Sequence, residues 1–457
     1  MAKGDLQAEF GGKKIAILGF GVESQETVEF MLKHGAAITV FDEKAESAFD
    51  VSQLRHLREQ GVAFNFGEFP SLTTFDIIVR SPGVKPGIQV LHEAGDIGIT
   101  ITTATSIFFR EAPGITVGIT GTKGKGTTSA LLYQMLRTAN KDAYIGGNIG
   151  VPALSFLHKL KNDSVSILEL SSFQLSDAER SPHIAVALMV TQDHLDYHAS
   201  TDEYVMAKMS ITRHQIENDI TIFNAEYPAS VAIAERSHGK KYAVSIKEKK
   251  GMSCYIDGEA VMLAMDGKTT QVAKISEILL PGRHNLENVC AAVLAATMLK
   301  VDREAIIYTL KSFRGLEHRL ELVGETNGIK YYNDSISTTP DSTIAAIRAF
   351  TSPEILILGG SSKGSDFTEL VKVISDARNV KAIIGIGDEW QLIKKELSND
   401  AITIVEDQKT MGAVVKKAAE IAKPGDIVIL SPACASFDMF KDYKDRGNQF
   451  KRAVNSL

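Results

Sequence analysis

The chain has 457 residues, enough for about three domains of roughly 150 residues each. With 44% apolar and 23% charged residues it has the composition of an ordinary folded globular protein, and a net charge of −6 argues against general affinity for nucleic acid or an anionic membrane. The stretch Met1 to Lys14 is too polar for a secretory signal, and no apolar run reaches the roughly 18–20 residues of a membrane span. Cys254, Cys290 and Cys434 show neither metal spacing nor an even disulfide set, so a reducing cytoplasm is the expected setting.

The first segment, residues 1–106, opens on the apolar run Lys14-Ile-Ala-Ile-Leu-Gly19, which predicts a strand. The turn Gly19-Phe-Gly21-Val22-Glu23-Ser24 follows, then a helical stretch to His34 and a second strand, Ala37 to Asp42. This βαβ pattern with an acidic residue closing its second strand is the plan of a Rossmann fingerprint, with Ser24 in place of the third glycine. Spacing alone leaves two readings open, a dinucleotide site or a Rossmann-like domain without a nucleotide. A later strand, Asp76-Ile-Ile-Val-Arg-Ser81-Pro-Gly83, ends in a turn at the edge where such sheets bind ligands.

The second segment, residues 107–316, carries the most informative motif. Ile115, Val117 and Ile119 alternate as in a buried strand, and Thr120-Gly121-Thr122-Lys123-Gly124-Lys125-Gly126-Thr127-Thr128 follows. Ser129 to Arg137 then reads as a helix. Strand, glycine-rich turn and helix aim backbone N–H groups and a helix N-terminus at phosphate oxygens, and Lys125 can reach terminal phosphates as a point charge. The match to Gly-x4-Gly-Lys-Ser/Thr is imperfect: Ile119 replaces the first glycine, and Gly126 replaces the hydroxyl that holds Mg2+. ATP use is the expected chemistry, a plain structural loop its rival.

Farther on, Val165 to Ser172 is a strand interrupted by Glu169, either a Mg2+ ligand or a strand-end carboxylate capping a helix. The strand Ala185 to Thr191 delivers Gln192-Asp-His194-Leu-Asp196, with His198 beyond; on its own this cluster is either functional or a solvated loop. Lys208, taken alone, is an ordinary helix-surface lysine. The third segment, residues 317–457, predicts strands at Glu354–Gly359, Lys381–Ile386, Ile402–Val405 and Asp426–Ser431, joined by helical crossovers. Their ends carry Gly359-Gly-Ser-Ser-Lys363 and Ser431-Pro-Ala-Cys-Ala-Ser436.

Taken together, the motifs resemble the ATP-dependent Mur ligases, in order along nearly the whole chain. They are the phosphate loop, Gly146-Gly-Asn-Ile-Gly150, Glu169-Leu-Ser-Ser-Phe-Gln-Leu175, Asp193-His194, Tyr204-Val-Met-Ala-Lys208, His284-Asn-Leu-Glu-Asn288, His318-Arg319, Asn333-Asp-Ser335, Ser431 to Asp438 and Arg446-Gly-Asn448. The resemblance implies an α/β protein of three domains: an N-terminal Rossmann-like domain for a UDP-substrate, a central ATPase and a C-terminal Rossmann-like domain for an amino acid. It is nearest to members that join D-glutamate to UDP-N-acetylmuramoyl-L-alanine through an acyl phosphate. Gly21, Val22, Glu23, Asp42, Ser81, Gly83 and Asn148 would then hold the UDP-substrate. The phosphate loop from Gly121 to Thr128, with Asn288, Arg319 and Asp334, would hold ATP. Thr127, Glu169, His194 and Lys208 would serve one or two Mg2+ ions, Lys208 as a CO2-derived carbamate. Lys125, His194, Lys208 and Arg319 would be catalytic, and Thr338, Lys363, Ser436 and Tyr443 would grip the glutamate. A cytoplasmic monomer acting on small molecules, without nucleic acid or membrane insertion, is expected.

Three departures stand out: Gly126, Ile336 where this kind of ligase commonly has lysine, and Tyr443 for phenylalanine. They keep open a sister ligase adding L-glutamate or another amino acid, and a nucleotide-binding regulatory protein that has lost catalysis.

Overall fold

Short runs of β-branched and other apolar residues bounded by glycine or polar turns build three sheets. In the computed structural model, which describes residues 6–148, 151–194, 197–362, 364–397 and 402–457, the first sheet is fully parallel. Its strands are β1 (Lys14–Leu18), β2 (Ala37–Asp42), β3 (Ala63–Phe66), β4 (Ile77–Arg80) and β5 (Thr100–Thr102), in the order β3-β2-β1-β4-β5. The strand order reverses between β1 and β4, and an open parallel sheet leaves a crevice outside the strand ends at such a point.

The second sheet has nine strands: β6 (Ile115–Thr120), β7 (Ala143–Gly147), β8 (Val165–Glu169), β9 (Ile184–Ala187), β10 (Ile220–Asn224), β11 (Lys240–Ser245), β12 (Cys254–Asp257), β13 (Ala260–Met265) and β14 (Lys268–Lys274). The order is β14-β13-β12-β11-β10-β9-β6-β8-β7, parallel from β7 to β12, with β12, β13 and β14 an antiparallel meander. Central β6 carries Val117 and Ile119 fully buried. The helix Lys125–Thr138 packs over it with Thr128, Leu131, Leu132, Met135 and Leu136 inward, the three-and-four spacing of a one-sided apolar stripe.

The third sheet contains β15 (Glu321–Thr326), β16 (Ile329–Asn333), β17 (Glu354–Gly359), β18 (Val380–Ile386), β19 (Thr403–Val405) and β20 (Ile427–Leu430). Its order is β15-β16-β20-β17-β18-β19, with only β15 antiparallel. The chain divides into two compact units: Met1–Ile275 with Leu286–Leu310, and Ser276–Asn285 with Lys311–Leu457. The first unit therefore holds two of the sheets and the second unit the third.

Within the first unit, Arg80 at the end of β4 ties the two sheets together. Its side chain is fully buried and all five guanidinium N–H groups are used. Nε and Nη2 grip both oxygens of Asp177, Nη1 donates to the carbonyls of Ser81 and Val84, and Nη2 also donates to the Phe173 carbonyl. Tyr197 adds its hydroxyl to the carbonyls of Pro82 and Val84, at 3.2 Å each. Gln174, on the short helix Ser172–Leu175, donates to Glu23 at 3.0 Å, so the first turn after β1 is held as well.

Removing one partner of a buried pair leaves the other charge uncompensated. Arg80→Ala should therefore lower stability by about 3 kcal/mol in the first urea transition, and Arg80→Met with Asp177→Leu should recover most of it. Equal losses in both variants would show that the ion pair is not what matters there.

Candidate active site

The phosphate-type loop is built as its sequence requires. Gly124 precedes the helix at φ +87°, a left-handed conformation, and a Cβ there would lie 2.2 Å from Asn288 Oδ1. Thr122 is locked at both ends. Its N–H donates to the Met189 carbonyl at 2.7 Å, and its hydroxyl meets the Thr191 carbonyl and Tyr204 at 3.1 and 3.0 Å. Lys123 is exposed; Gly126, Thr127 and Thr128 are buried in the first helical turn. The Thr128 hydroxyl contacts Asn288 Oδ1 at 3.3 Å, bringing the expected adenine residue against the loop.

Lys125 folds back and donates to the carbonyls of Gly121 and Thr122, at 2.9 and 3.2 Å. Lys208 reaches the same Gly121 carbonyl, at 3.2 Å, and the Thr120 hydroxyl, also at 3.2 Å. It is only 1% exposed, with its amine 4.6 Å from the Tyr204 ring centre. Burial first, and the charge of Lys125 second, hold its pKa well below the usual lysine value; Asp193 and Glu169 oppose the shift. Lys208 is thus no surface lysine. On the helix Thr201–Arg213 it shares the inward stripe with Tyr204, Ala207, Ile211 and Thr212.

Glu169 ends β8, 6% exposed, and accepts from Asn148 Nδ2 at 2.9 Å. His194 sits at φ +53°, unusual for a residue with a side chain, and its half-exposed ring lies 4.9 Å from that of Phe173. Asp196 and Lys363 lie outside the described residues. His198 is buried, bridging Ser172 at 2.9 Å and approaching Glu203 at 3.5 Å, and burial lowers its pKa.

In the first sheet, Gly19 (φ +82°) and Ser81 meet across the crevice between β1 and β4: a Cβ on Gly19 would lie 2.2 Å from the Ser81 hydroxyl. Gly21, Val22 and Gly83 are exposed beside it. Asp42 accepts from the N–H groups of Phe20 and Lys44, at 2.7 and 2.9 Å, which shapes the turn. Glu23 is half-buried, and burial raises its pKa against the opposing bond from Gln174.

In the second unit, Arg319 is exposed between His318 (φ +64°) and Leu320 (φ +43°). Asp334 is buried. It accepts from the Leu320 N–H and the Ser431 hydroxyl at 3.1 and 2.7 Å, and burial pushes its pKa up to about 6. Its oxygens organise the chain around them and do not face solvent. Thr338 and Tyr443 are half-buried and Ser436 is buried, at or beside the adjacent ends of β16 and β20.

Family models match almost end to end: the MurD-like N-terminal domain of Mur ligases over residues 13–103, the Mur ligase middle domain over 119–296, and the Mur ligase glutamate ligase domain over 318–434. The chain belongs to the Mur ligase family. Its members are ATP-dependent, amide-bond-forming enzymes, and their ATP requires Mg2+. Relatives named UDP-N-acetylmuramoylalanine--D-glutamate ligase share 38% identity in Acetivibrio thermocellus, over 99% of this chain and 98% of theirs, and 36% in Caldanaerobacter subterraneus subsp. tengcongensis, over 98% and 99%. The fold also matches MurF of Thermotoga maritima in complex with ADP (TM-score 0.57, 16% identity, 99% of both chains). MurF of Acinetobacter baumannii gives a TM-score of 0.59 at 17% identity, over 99% of this chain and 92% of that one.

The donor set of this Mur ligase fits Mg2+. Among the described residues no three His, Cys, Asp or Glu side chains gather into a metal cluster. Mg2+ bound through nucleotide phosphates, water and one or two carboxylates needs none. The support around these groups, from Arg80, Tyr197, Gln174 and Tyr204, has no role in the sequence reading, where Gln174 and Tyr204 stand only as members of motifs. The phenol of Tyr204, pushed up to about 12 by burial, keeps its proton.

A lysine whose folded-state pKa is depressed binds fewer protons than in the unfolded chain, so stability rises with pH up to its reference value, about 10.4. In CO2-free buffer, Lys208→Met should be more stable than the parent by about 1–2 kcal/mol at pH 7, and the gap should close toward pH 10. A gap that stays constant across that range would contradict the depressed pKa.

Proposed function

We propose that this chain joins D-glutamate to the alanine carboxylate of UDP-N-acetylmuramoyl-L-alanine at the expense of ATP, a step in peptidoglycan precursor synthesis. The full-length similarity to ligases of that name supports the substrate pair. The observation that carries the chemistry is the meeting of Lys125 and Lys208 on the Gly121 carbonyl, with the charges of Glu169 and Asp193 acting on Lys208.

A carboxylate and an amine do not condense in neutral water, so the carboxylate is first activated. Its oxygen attacks the γ-phosphorus of ATP, ADP leaves, and an acyl phosphate forms. The amine of glutamate attacks that carbonyl, loses a proton, and phosphate departs. Two anions meet in the first step, so concentrated positive charge is needed. Lys125 and the amides of residues 121–128 supply it on the phosphate side, with Arg319 as a further cation for ATP. Glu169, His194, Thr127 and a carbamylated Lys208 would hold Mg2+, which when bound neutralises charge on the phosphates. The carbamate arises when the neutral Lys208 amine adds to CO2 and releases a proton, placing an anion beside Glu169. Asn148 places the UDP-substrate near Glu169, while Gly21, Val22, Glu23, Asp42, Ser81 and Gly83 hold its uridine diphosphate. Asn288 and Asp334 serve the nucleoside of ATP, the latter through the loop it orders. Thr338, Lys363, Ser436 and Tyr443 hold the amino acid. The enzyme works as a cytoplasmic monomer.

Phosphate release from ATP in the presence of UDP-N-acetylmuramoyl-L-alanine should depend on D-glutamate and not on L-glutamate, with the product confirmed by mass. Dependence on L-glutamate would move the specificity, and no amino-acid dependence would sink the ligase reading. Lys125→Ala should abolish turnover. Lys208→Ala should also be inactive, yet recover in part with a short carboxylic acid such as acetate; failure of rescue at every concentration would count against the carbamate.

A further inference from the structure

Among its described residues the second unit holds a buried cation that no carboxylate contacts. Arg446 lies in the first turn of the helix Tyr443–Val454 and is 0% exposed. All five of its N–H donors are used, and every acceptor is neutral. Nε donates to the Ser335 hydroxyl at 2.9 Å and Nη2 to the Ser335 carbonyl at 2.8 Å. Nη1 and Nη2 share the Cys434 carbonyl at 3.2 Å each, and Nη1 reaches the Ala435 carbonyl at 3.0 Å. Among the described residues no carboxylate pairs with it. Asp438 acts only at longer range, its oxygens engaged by the N–H groups of Asp388 and Met439.

The position is central. Ser335 follows β16 and Cys434–Ala435 follow β20, neighbouring strands of the third sheet. Gly360, just past adjacent β17, adopts φ +145°, and a Cβ on it would lie 3.2 Å from Arg446 Nη1. The same bonds fix orientation. In a trans peptide the carbonyl and the next N–H point opposite ways, and the chain has no cis bonds among the described residues. With the Ala435 carbonyl turned onto the guanidinium, the N–H of Ser436 faces away from it. The Ser335 hydroxyl also donates to the Tyr443 carbonyl at 2.8 Å, so Arg446 anchors the segments that carry Thr338, Ser436 and Tyr443.

An unpaired buried charge is costly to keep, and an anion arriving nearby relieves that cost. We propose that Arg446 is the positioning residue of the amino-acid site, and that its charge, which no carboxylate pairs among the described residues, with the Ser436 amide it turns outward, selects an amino acid bearing two carboxylates over one bearing a single carboxylate. This rests on the ligase reading above. Burial lowers the Arg446 pKa to about 10, still charged at neutral pH.

The test compares D-glutamate with D-glutamine, which lacks the second charge, in the parent enzyme and in Arg446→Lys, Arg446→Gln and Ser335→Ala. Arg446→Gln should raise KM for D-glutamate by at least about tenfold and shrink the glutamate-to-glutamine preference in kcat/KM by a similar factor. KM for ATP should stay within about twofold, and Arg446→Lys should keep more of the preference than Arg446→Gln. If Arg446→Gln does not fold, Ser335→Ala, which loosens the anchor and keeps the charge, should raise KM for D-glutamate while leaving the preference intact. Equal losses for both amino acids and for ATP would reduce Arg446 to a structural residue and overturn the inference. A parent enzyme inert toward every acidic amino acid would instead sink the ligase reading itself.

Discussion

Two lysine amines converge on the one carbonyl oxygen of Gly121, and much of the first unit is arranged around that crowding. Two unit charges about 4 Å apart repel by about 4 kcal/mol at an effective dielectric of about 20, so both cannot hold full charge cheaply. Burial decides which gives way. Lys125 is half-exposed at a helix start, where charge is useful to phosphate; Lys208 is enclosed between its helix and β6. The outcome is one cation and one amine prone to be neutral, side by side. A neutral amine is the form that can add to CO2, so the carbamate proposed for Lys208 would draw on the same crowding that keeps the charge on Lys125.

The three sheets meet their tasks by the same device. Each puts its candidate groups on the C-terminal ends of adjacent parallel strands: β1 and β4 with Gly19 and Ser81, β6, β8 and β9 with the loop, Glu169 and His194, β16, β20 and β17 with Ser335, Ala435 and Gly360. Strand ends hold loops at fixed separations while leaving the loops free to carry chemistry. Gly19 stands where Ser81 at a neighbouring strand end leaves no room for a Cβ, and Gly124 where the helix side chain of Asn288 leaves none.

How far the sequence could be read depends on whether a feature is local. The strands β1, β2, β17, β18 and β20 fall within a residue or two of the apolar runs that predict them, because a strand buried on both faces is apolar throughout. The sequence reading holds no counterpart of the meander β12 to β14: β14 exposes most of its residues and has no apolar run, and β13, though apolar throughout, is too short for periodicity to tell a strand from a helix. Val165 to Ser172 was read as one strand, but β8 stops at Glu169, where Ser171 and Gln174 form a capping box that starts a helix. Lys208 was legible in principle, since Tyr204, Ala207, Lys208 and Ile211 share one helical face. Arg80 and Arg446 were not legible as anchors, although Arg446 stands in the motif Arg446-Gly-Asn448. Their key partners lie 97 and 111 residues away, and no spacing rule reaches that far.

The three buried cations also show how partner chemistry separates support from function. Arg80 faces a carboxylate, all its donors are matched, and its bonds tie two sheets of one unit. Lys208 and Arg446 face only hydroxyl and carbonyl oxygens. A lysine so placed can escape by losing its proton. An arginine at neutral pH cannot, so the third sheet carries a positive charge that no carboxylate among the described residues contacts. Such a charge would be selected against unless something else completes it. In an enzyme whose incoming amino acid brings two carboxylates and a reactive amine, that completion is the substrate itself. Binding is then strongest for the species that carries the most negative charge into the crevice.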